Sequence, residues 1–278
     1  MKTLYISDLD GTLLTPNATL SNGTIVTMNK LLAEGLEFTC ATARTPASVS
    51  YILAPLDIKV PAIMMNGVII YNLDSKRYEK VEYLEEKYFE TILNYMRDLN
   101  LKAFIYGIHN NNLSTYYESI SNDAMNTFMM ERVTRYNKIF THVDSFDQIT
   151  RKDVIYCLFL DKKNVLDPLY NLVKDMDEIS CSYYKDVYFD DIYCLELFSK
   201  NATKYNGVKY IKETYGYDKI VAFGDNLNDI PMFQASDDCY AMSNAKPELK
   251  QIADEIIGSN KEDGVAAYLE YLWKHKKL

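Results

Sequence analysis

The chain has 278 residues and carries 30 Lys+Arg against 39 Asp+Glu, a formal net charge of −9. That length suits one large domain or two modest ones, and the acidic balance argues against a nucleic-acid partner, whose binding face needs clustered Lys and Arg. No apolar run approaches the length of a membrane span, and Asp8 and Asp10 stand where a leader peptide would need its apolar core.

The first element is the stretch Thr3-Leu4-Tyr5-Ile6, which reads as a buried strand. It leads directly into Asp8-Leu9-Asp10-Gly11-Thr12. In extended backbone, residues two apart face the same side, so the two carboxylates emerge together from a strand end. Gly11 then permits a tight turn or a close backbone approach. Two acids that close repel each other unless a cation or a shared proton offsets the cost. Mg²⁺ is a frequent partner of such oxygen donors, and an Asp can also act as a nucleophile toward phosphorus.

Ser21 is placed to cap a helix whose buried face carries Ile25, Met28, Leu31 and Leu32, ending near Gly35. Residues 36–41 form a second strand, with Thr42-Ala43-Arg44 at its carboxyl end. A helix over 47–56 follows, then a third strand at 61–65 capped by Asn66-Gly67. This alternation predicts an α/β fold with a doubly wound parallel sheet, in which ligands bind outside the carboxyl ends of the strands.

The pattern changes at residue 83. A helix over 84–99, strands near 104–108, 115–117, 154–160 and 179–184, and helices near 124–132 and 165–176 predict an inserted α+β module. Residues 133–152 carry no clear period. The expected division is 1–82 plus 191–278 for the main domain and 83–190 for the insertion. The strand at 193–198 is expected to return to the first sheet. Thr203-Lys204 opens a helix, and a strand at 219–223 ends in Gly224-Asp225-Asn226-Leu227-Asn228-Asp229. A last strand at 239–242 precedes helices over 247–253 and 264–273. The five scattered cysteines lie mostly in apolar runs and are expected as reduced core thiols of a cytoplasmic protein.

Acid pairs, a hydroxyl and a lysine thus recur at strand ends of one sheet. Their types and order closely resemble the haloacid dehalogenase-like superfamily, specifically the Cof-type (type IIB) sugar-phosphate phosphatases. Residues 8–12 match the first motif of that family. Ala41-Thr42-Ala43-Arg44 resembles the second, with Ala43 in place of a usual glycine. Lys204 stands at the third, and residues 224–229 match the fourth. The insertion between Thr42 and Lys204 is similar to a type 2 cap.

The resemblance implies a Mg²⁺-dependent phosphatase acting on a small-molecule phosphomonoester. It implies Asp8 as nucleophile and Asp10 as general acid/base, with Mg²⁺ on Asp8, the Asp10 backbone carbonyl and Asp225. Thr42, Ala43, Lys204 and Asn228 would contact phosphate or substrate, supported by Asp229, Arg44 and Asn66. A phosphomutase, or a receiver-like module that binds phosphate without turnover, uses similar groups. Receivers, however, phosphorylate an Asp after a later strand and carry no insertion. The sequence specifies neither the physiological substrate nor the oligomeric state.

Overall fold

A computed structural model of the chain describes residues 1–186 and 189–275. The first strand, β1 (Thr3–Ser7), is followed by α1 (Asn22–Ala33), β2 (Phe38–Cys40), α2 (Pro46–Ile52), β3 (Ala62–Met64), β4 (Ile69–Asn72) and β5 (Arg77–Val81). Then come α3 (Glu86–Asp98), β6 (Phe104–His109), β7 (Asn112–Tyr117), α4 (Asp123–Tyr136), β8 (Thr141–His142), β9 (Val154–Lys162), α5 (Lys163–Val173), β10 (Ile179–Lys185) and β11 (Ile192–Ser199). The chain ends with α6 (Lys204–Tyr215), β12 (Lys219–Gly224), α7 (Ile230–Gln234), β13 (Asp238–Met242), α8 (Pro247–Lys250), β14 (Glu255–Ile257) and α9 (Gly264–Lys274).

The chain divides into two compact units. The first comprises Met1–Lys80 and Thr203–Leu278, and the second Val81–Ala202. The first unit is built on a parallel sheet in the order β14-β13-β12-β1-β2. Leu4 and Ile6 of β1 are fully buried, as expected of a central parallel strand covered on both faces. Ser21 caps α1 by accepting from the Thr24 backbone N–H, and Thr203 caps α6 in the same way through Asn206.

The expected third parallel strand has a double character. β3 touches the parallel sheet through a single bridge between Ala41 and Ile63. Its ladder proper is antiparallel to β4, within a three-stranded sheet β3-β4-β5. The expected parallel strand therefore turns back on itself after Met64. It does so through Met65, Asn66 and Gly67, three consecutive residues with positive φ. A Cβ at Gly67 would collide with the Thr203 backbone, so this turn packs tightly on the start of α6.

The second unit holds a six-stranded sheet in the order β10-β11-β9-β6-β7-β8. Its ladders are antiparallel apart from the short β7–β8 pairing. Helices α3 and α5 bury Phe89, Ile92, Leu166 and Leu169 against Ile105, Cys157, Leu195 and Leu197 on one sheet face.

The expected boundary at 190/191 is corrected by the strand pairing. Strand β11 pairs with β9 and β10 and belongs to the second unit, which runs on to Ala202. The apolar run Ile192–Ser199 identifies a buried strand, but such a run does not say which strands it pairs with; here it forms an antiparallel hairpin with β10 and a second ladder with β9.

Candidate active site

The carboxyl ends of β1, β2 and β12 lie side by side, because Ser7 pairs with Cys40 and Phe223 in parallel register. Each expected loop is tied to its neighbour by the backbone. The Asp8 N–H donates to the Phe223 carbonyl at 2.9 Å, and the Thr42 N–H donates to the Ile63 carbonyl at 2.9 Å. The Asn66 N–H donates to the Thr42 carbonyl at 3.0 Å. Sheet hydrogen bonding thus collects segments that are up to about two hundred residues apart.

Lys204 occupies the centre of this edge. Its ammonium is buried and donates to Asp8 Oδ1 at 2.6 Å and to Asp229 Oδ1 at 2.7 Å. The other Asp229 oxygen accepts from the backbone N–H groups of Asp225 and Asn226, at 2.9 and 3.0 Å. Asp229 is fully buried with both oxygens engaged, so it orients Lys204 and the 224–229 turn. The local signal for this was present in the sequence. Asn226 and Asp229 form a reciprocal capping box, which the Asn-x-x-Asp spacing allows.

Asp225 is half-buried and held by residues to which the motifs assign no role. Thr12 Oγ1 donates to its Oδ1 at 2.8 Å, and the Lys246 N–H donates to its backbone carbonyl at 2.8 Å. Gly11 has φ +79°, and a Cβ there would run into the Asp225 carboxylate. Asn244 ties the same turn by donating to the Gly11 carbonyl at 2.8 Å.

Asp8, Asp225 and Asp229 present carboxylate oxygens within 4.8 Å of one another. Three carboxylates against one ammonium leave excess negative charge in a dry site. Burial pushes the Asp8 carboxyl up to about 8, with Asp229 and Asp225 adding to the rise and Lys204 opposing it. Burial likewise pushes Asp225 up to about 6, against the Thr12 hydrogen bond that holds it down. For Lys204, burial opposes its charge, but Asp229 and Asp8 outweigh it and hold the amine above its ordinary value. A hard divalent cation fits this donor set, since it would supply the charge that Lys204 alone does not.

The remaining expected residues line the same edge. Thr42 is buried, and its Oγ1 accepts from the Arg44 N–H at 3.2 Å. Ala43 between them is exposed. Arg44 donates Nε and Nη2 to the two Asp10 oxygens, both at 2.6 Å. The Asp10 side chain is 52% exposed and lies outside the three-carboxylate group. Asn228 is exposed and stands 3.5 Å from Asn66 Oδ1 through its Nδ2.

A family model described as haloacid dehalogenase-like hydrolase matches residues 5–269. Phosphatase YwpJ of Bacillus subtilis is 25% identical over 295 residues, spanning 98% of this chain and all of that protein. The crystal structure of TM0651 from Thermotoga maritima superposes with a TM-score of 0.81 at 24% identity, covering 98% of this chain and 97% of that one. The structure of BT4131, described as a HAD subclass IIB sugar phosphatase, gives a TM-score of 0.71 at 20% identity, covering 98% and 99%. The matched span takes in all four strand-end segments, and the chain belongs to the haloacid dehalogenase-like hydrolase family.

Proposed function

We propose that this protein is a Mg²⁺-dependent phosphatase of small phosphomonoesters, acting through an aspartyl-phosphate on Asp8. The observation that carries the reading is the Lys204 ammonium bridging Asp8 and Asp229, beside Asp225, at the strand ends. Acyl phosphates need an Asp whose oxygen is held and aimed, and the Lys204 ammonium holds Asp8 Oδ1 at 2.6 Å.

In this reading Asp8 attacks phosphorus in line and the bond to the leaving oxygen breaks. Asp10 sits on the exposed side of the site, where it protonates the leaving alkoxide and then accepts a proton from the attacking water. Arg44 orients the Asp10 carboxylate through its two hydrogen bonds. Lys204 neutralises negative charge that gathers on the phosphoryl oxygens, and Thr42 and Asn228 donate to them. Bound Mg²⁺, held by Asp8, Asp225 and the Asp10 backbone carbonyl, would supply further positive charge toward the phosphoryl group. The second unit is read as a type 2 cap. Sugar phosphates are the proposed substrate class, in keeping with the description of BT4131 as a sugar phosphatase. Five free cysteines, four of them buried, support a reducing, cytoplasmic setting. Among the described residues no helix is long and apolar enough to cross a membrane.

The test is turnover of p-nitrophenyl phosphate with and without Mg²⁺. Hydrolysis that requires the metal and disappears in Asp8→Asn is the expected result. Phosphate binding without hydrolysis by the wild-type chain would overturn the reading in favour of a receiver-like module.

A further inference from the structure

The turn after β1 is wider than a turn of α-helix. It closes through the Leu13 N–H to the Asp8 carbonyl at 3.3 Å and the Leu14 N–H to the Leu9 carbonyl at 2.8 Å, each linking residues five apart. At its tip Asp10 has φ −75° and ψ 122°, and Gly11 has φ 79° and ψ −5°. These are the central angles of a type II β-turn, which needs positive φ at its third residue. The carbonyls of the two central residues take no part in the bond that closes such a turn. The turn therefore leaves the Asp10 and Gly11 carbonyls to partners outside it.

Two asparagines far along the chain hold this turn from outside. Asn244 Nδ2 donates to the Gly11 carbonyl at 2.8 Å, and Asn260 Nδ2 donates to the Leu14 carbonyl at 2.8 Å. The two are joined, since the Asn260 backbone N–H donates to Asn244 Oδ1 at 3.0 Å. Each end of the Asn244 amide thus meets a backbone group of fixed polarity. That settles which end is oxygen and which is nitrogen, and a carboxylate of the same shape would lack the donor. Asn244 is exposed, where water competes for its bonds and their net worth to folding is modest. Their effect is on where the tip of the turn sits.

The segment that carries Asn244 also reaches the 224–229 turn. The Lys246 N–H donates to the Asp225 carbonyl at 2.8 Å. Between them the Ala245 N–H closes a tight turn on the Met242 carbonyl at 2.9 Å, and Ala245 is buried. Residues 244–246 therefore fasten Gly11 and Asp225 to one anchored piece of backbone. The spacing so fixed is a contact distance, because a Cβ on Gly11 would run into the Asp225 carboxylate.

We propose that Asn244 is a positioning residue for the divalent cation, holding the Asp10–Gly11 tip against Asp225 so that the oxygens of the two segments keep one spacing. This role presupposes Asp8, Asp225 and the Asp10 carbonyl as Mg²⁺ ligands, as the phosphatase reading has them. Outer hydrogen-bond partners that orient metal ligands commonly change metal affinity by about 10–100-fold when removed.

Metal-free full-length protein is titrated with Mn²⁺, a hard cation suited to the same oxygen donors, and the free ion is followed by EPR without substrate. Asn244→Ala should raise the Mn²⁺ dissociation constant about tenfold or more. The Mg²⁺ needed for half-maximal hydrolysis of p-nitrophenyl phosphate should rise with it, while kcat at saturating Mg²⁺ and KM for the ester stay near the wild-type values. Asn244→Asp keeps an acceptor for the Asn260 N–H but has no donor for Gly11. Its added negative charge by itself favours a cation, so a raised constant in this variant as well assigns the effect to the lost donor. A wild-type constant in either variant overturns the role of Asn244. So does a lowered unfolding midpoint in EDTA with Mn²⁺ affinity unchanged, which marks a contact that serves stability alone. Asp225→Asn separates the two levels. If it binds Mn²⁺ as tightly as the wild type, the ligand reading falls and the role of Asn244 with it. If it loses binding while Asn244→Ala keeps it, only the role of Asn244 falls.

Discussion

Lys204 and Asp8 lie 196 positions apart in the chain, yet the ammonium of one donates to the carboxylate of the other at 2.6 Å, with neither side chain more than 8% exposed. Such a pair is expensive to half-remove. Lys204→Met would leave Asp8 and Asp229 facing each other without compensation. We expect a loss of about 3–5 kcal/mol in unfolding free energy, read from urea denaturation at neutral pH in the absence of Mg²⁺. Adding Asp229→Asn to that variant should restore part of the loss without restoring turnover. Additive losses in the double variant would show that the three groups do not act together.

The same crowding makes stability depend on pH in an unusual direction. Asp8 rises from 3.8 to about 8 and Asp225 from 3.8 to about 6 in the folded chain. Between the unfolded and folded values the native state holds more protons than the unfolded one, so stability falls as pH rises through that window. Metal-free protein should therefore lose stability from about pH 4 to about pH 8. Mg²⁺ binds the ionised cluster and should stabilise more at about pH 8 than at about pH 5. Thermal melts in EDTA and in millimolar Mg²⁺ across this range provide the check; a metal shift that is equal at both ends would count against the site.

The strand ends were legible because their signals are local. An apolar run followed at once by two acids marks where a parallel strand stops, and Thr203 beside Lys204 marks where a helix begins. The Asp-x-Asp-Gly-Thr and Gly-Asp-x-x-x-Asp runs then carried the site. An apolar run does not name its partners, so Ile192–Ser199 was expected in one sheet and lies in the other, paired with β10 and β9. Strand β5 escaped notice because Arg77–Val81 carries three charged residues, shows no apolar alternation and has no buried position, like many edge strands. Lys138 falls in a stretch with no readable period, and its burial comes in part from rings that a local pattern does not reveal.

Gly11 tests how closely the first and fourth segments are fitted. It holds φ +79°, and an added Cβ would meet the Asp225 carboxylate. Gly11→Ala should cost about 1 kcal/mol or more in stability from backbone strain alone. The sharper effect is expected on the metal, because the displaced carboxylate is one of its proposed ligands. Half-saturating Mg²⁺ for hydrolysis should rise at least about tenfold, which corresponds to losing roughly 1.4 kcal/mol of binding. An unchanged Mg²⁺ requirement would mean that Asp225 does not hold the ion.

Asp10 separates the two halves of the proposed reaction. Its carboxylate is exposed and paired with Arg44, away from the buried triad, so Asp10→Asn should leave the fold and the nucleophile intact. p-Nitrophenolate leaves without needing a proton, so this variant should still form the aspartyl-phosphate from the aryl ester. Hydrolysis of that intermediate needs a base, and it should slow by about 10²–10⁴. Stopped-flow absorbance should then show a stoichiometric burst of nitrophenolate followed by a slow phase. An alkyl phosphate, whose leaving group must be protonated, should give no burst. A wild-type steady state with the aryl ester would remove Asp10 from the second step, and a burst of equal size and rate with the alkyl ester would remove it from the first.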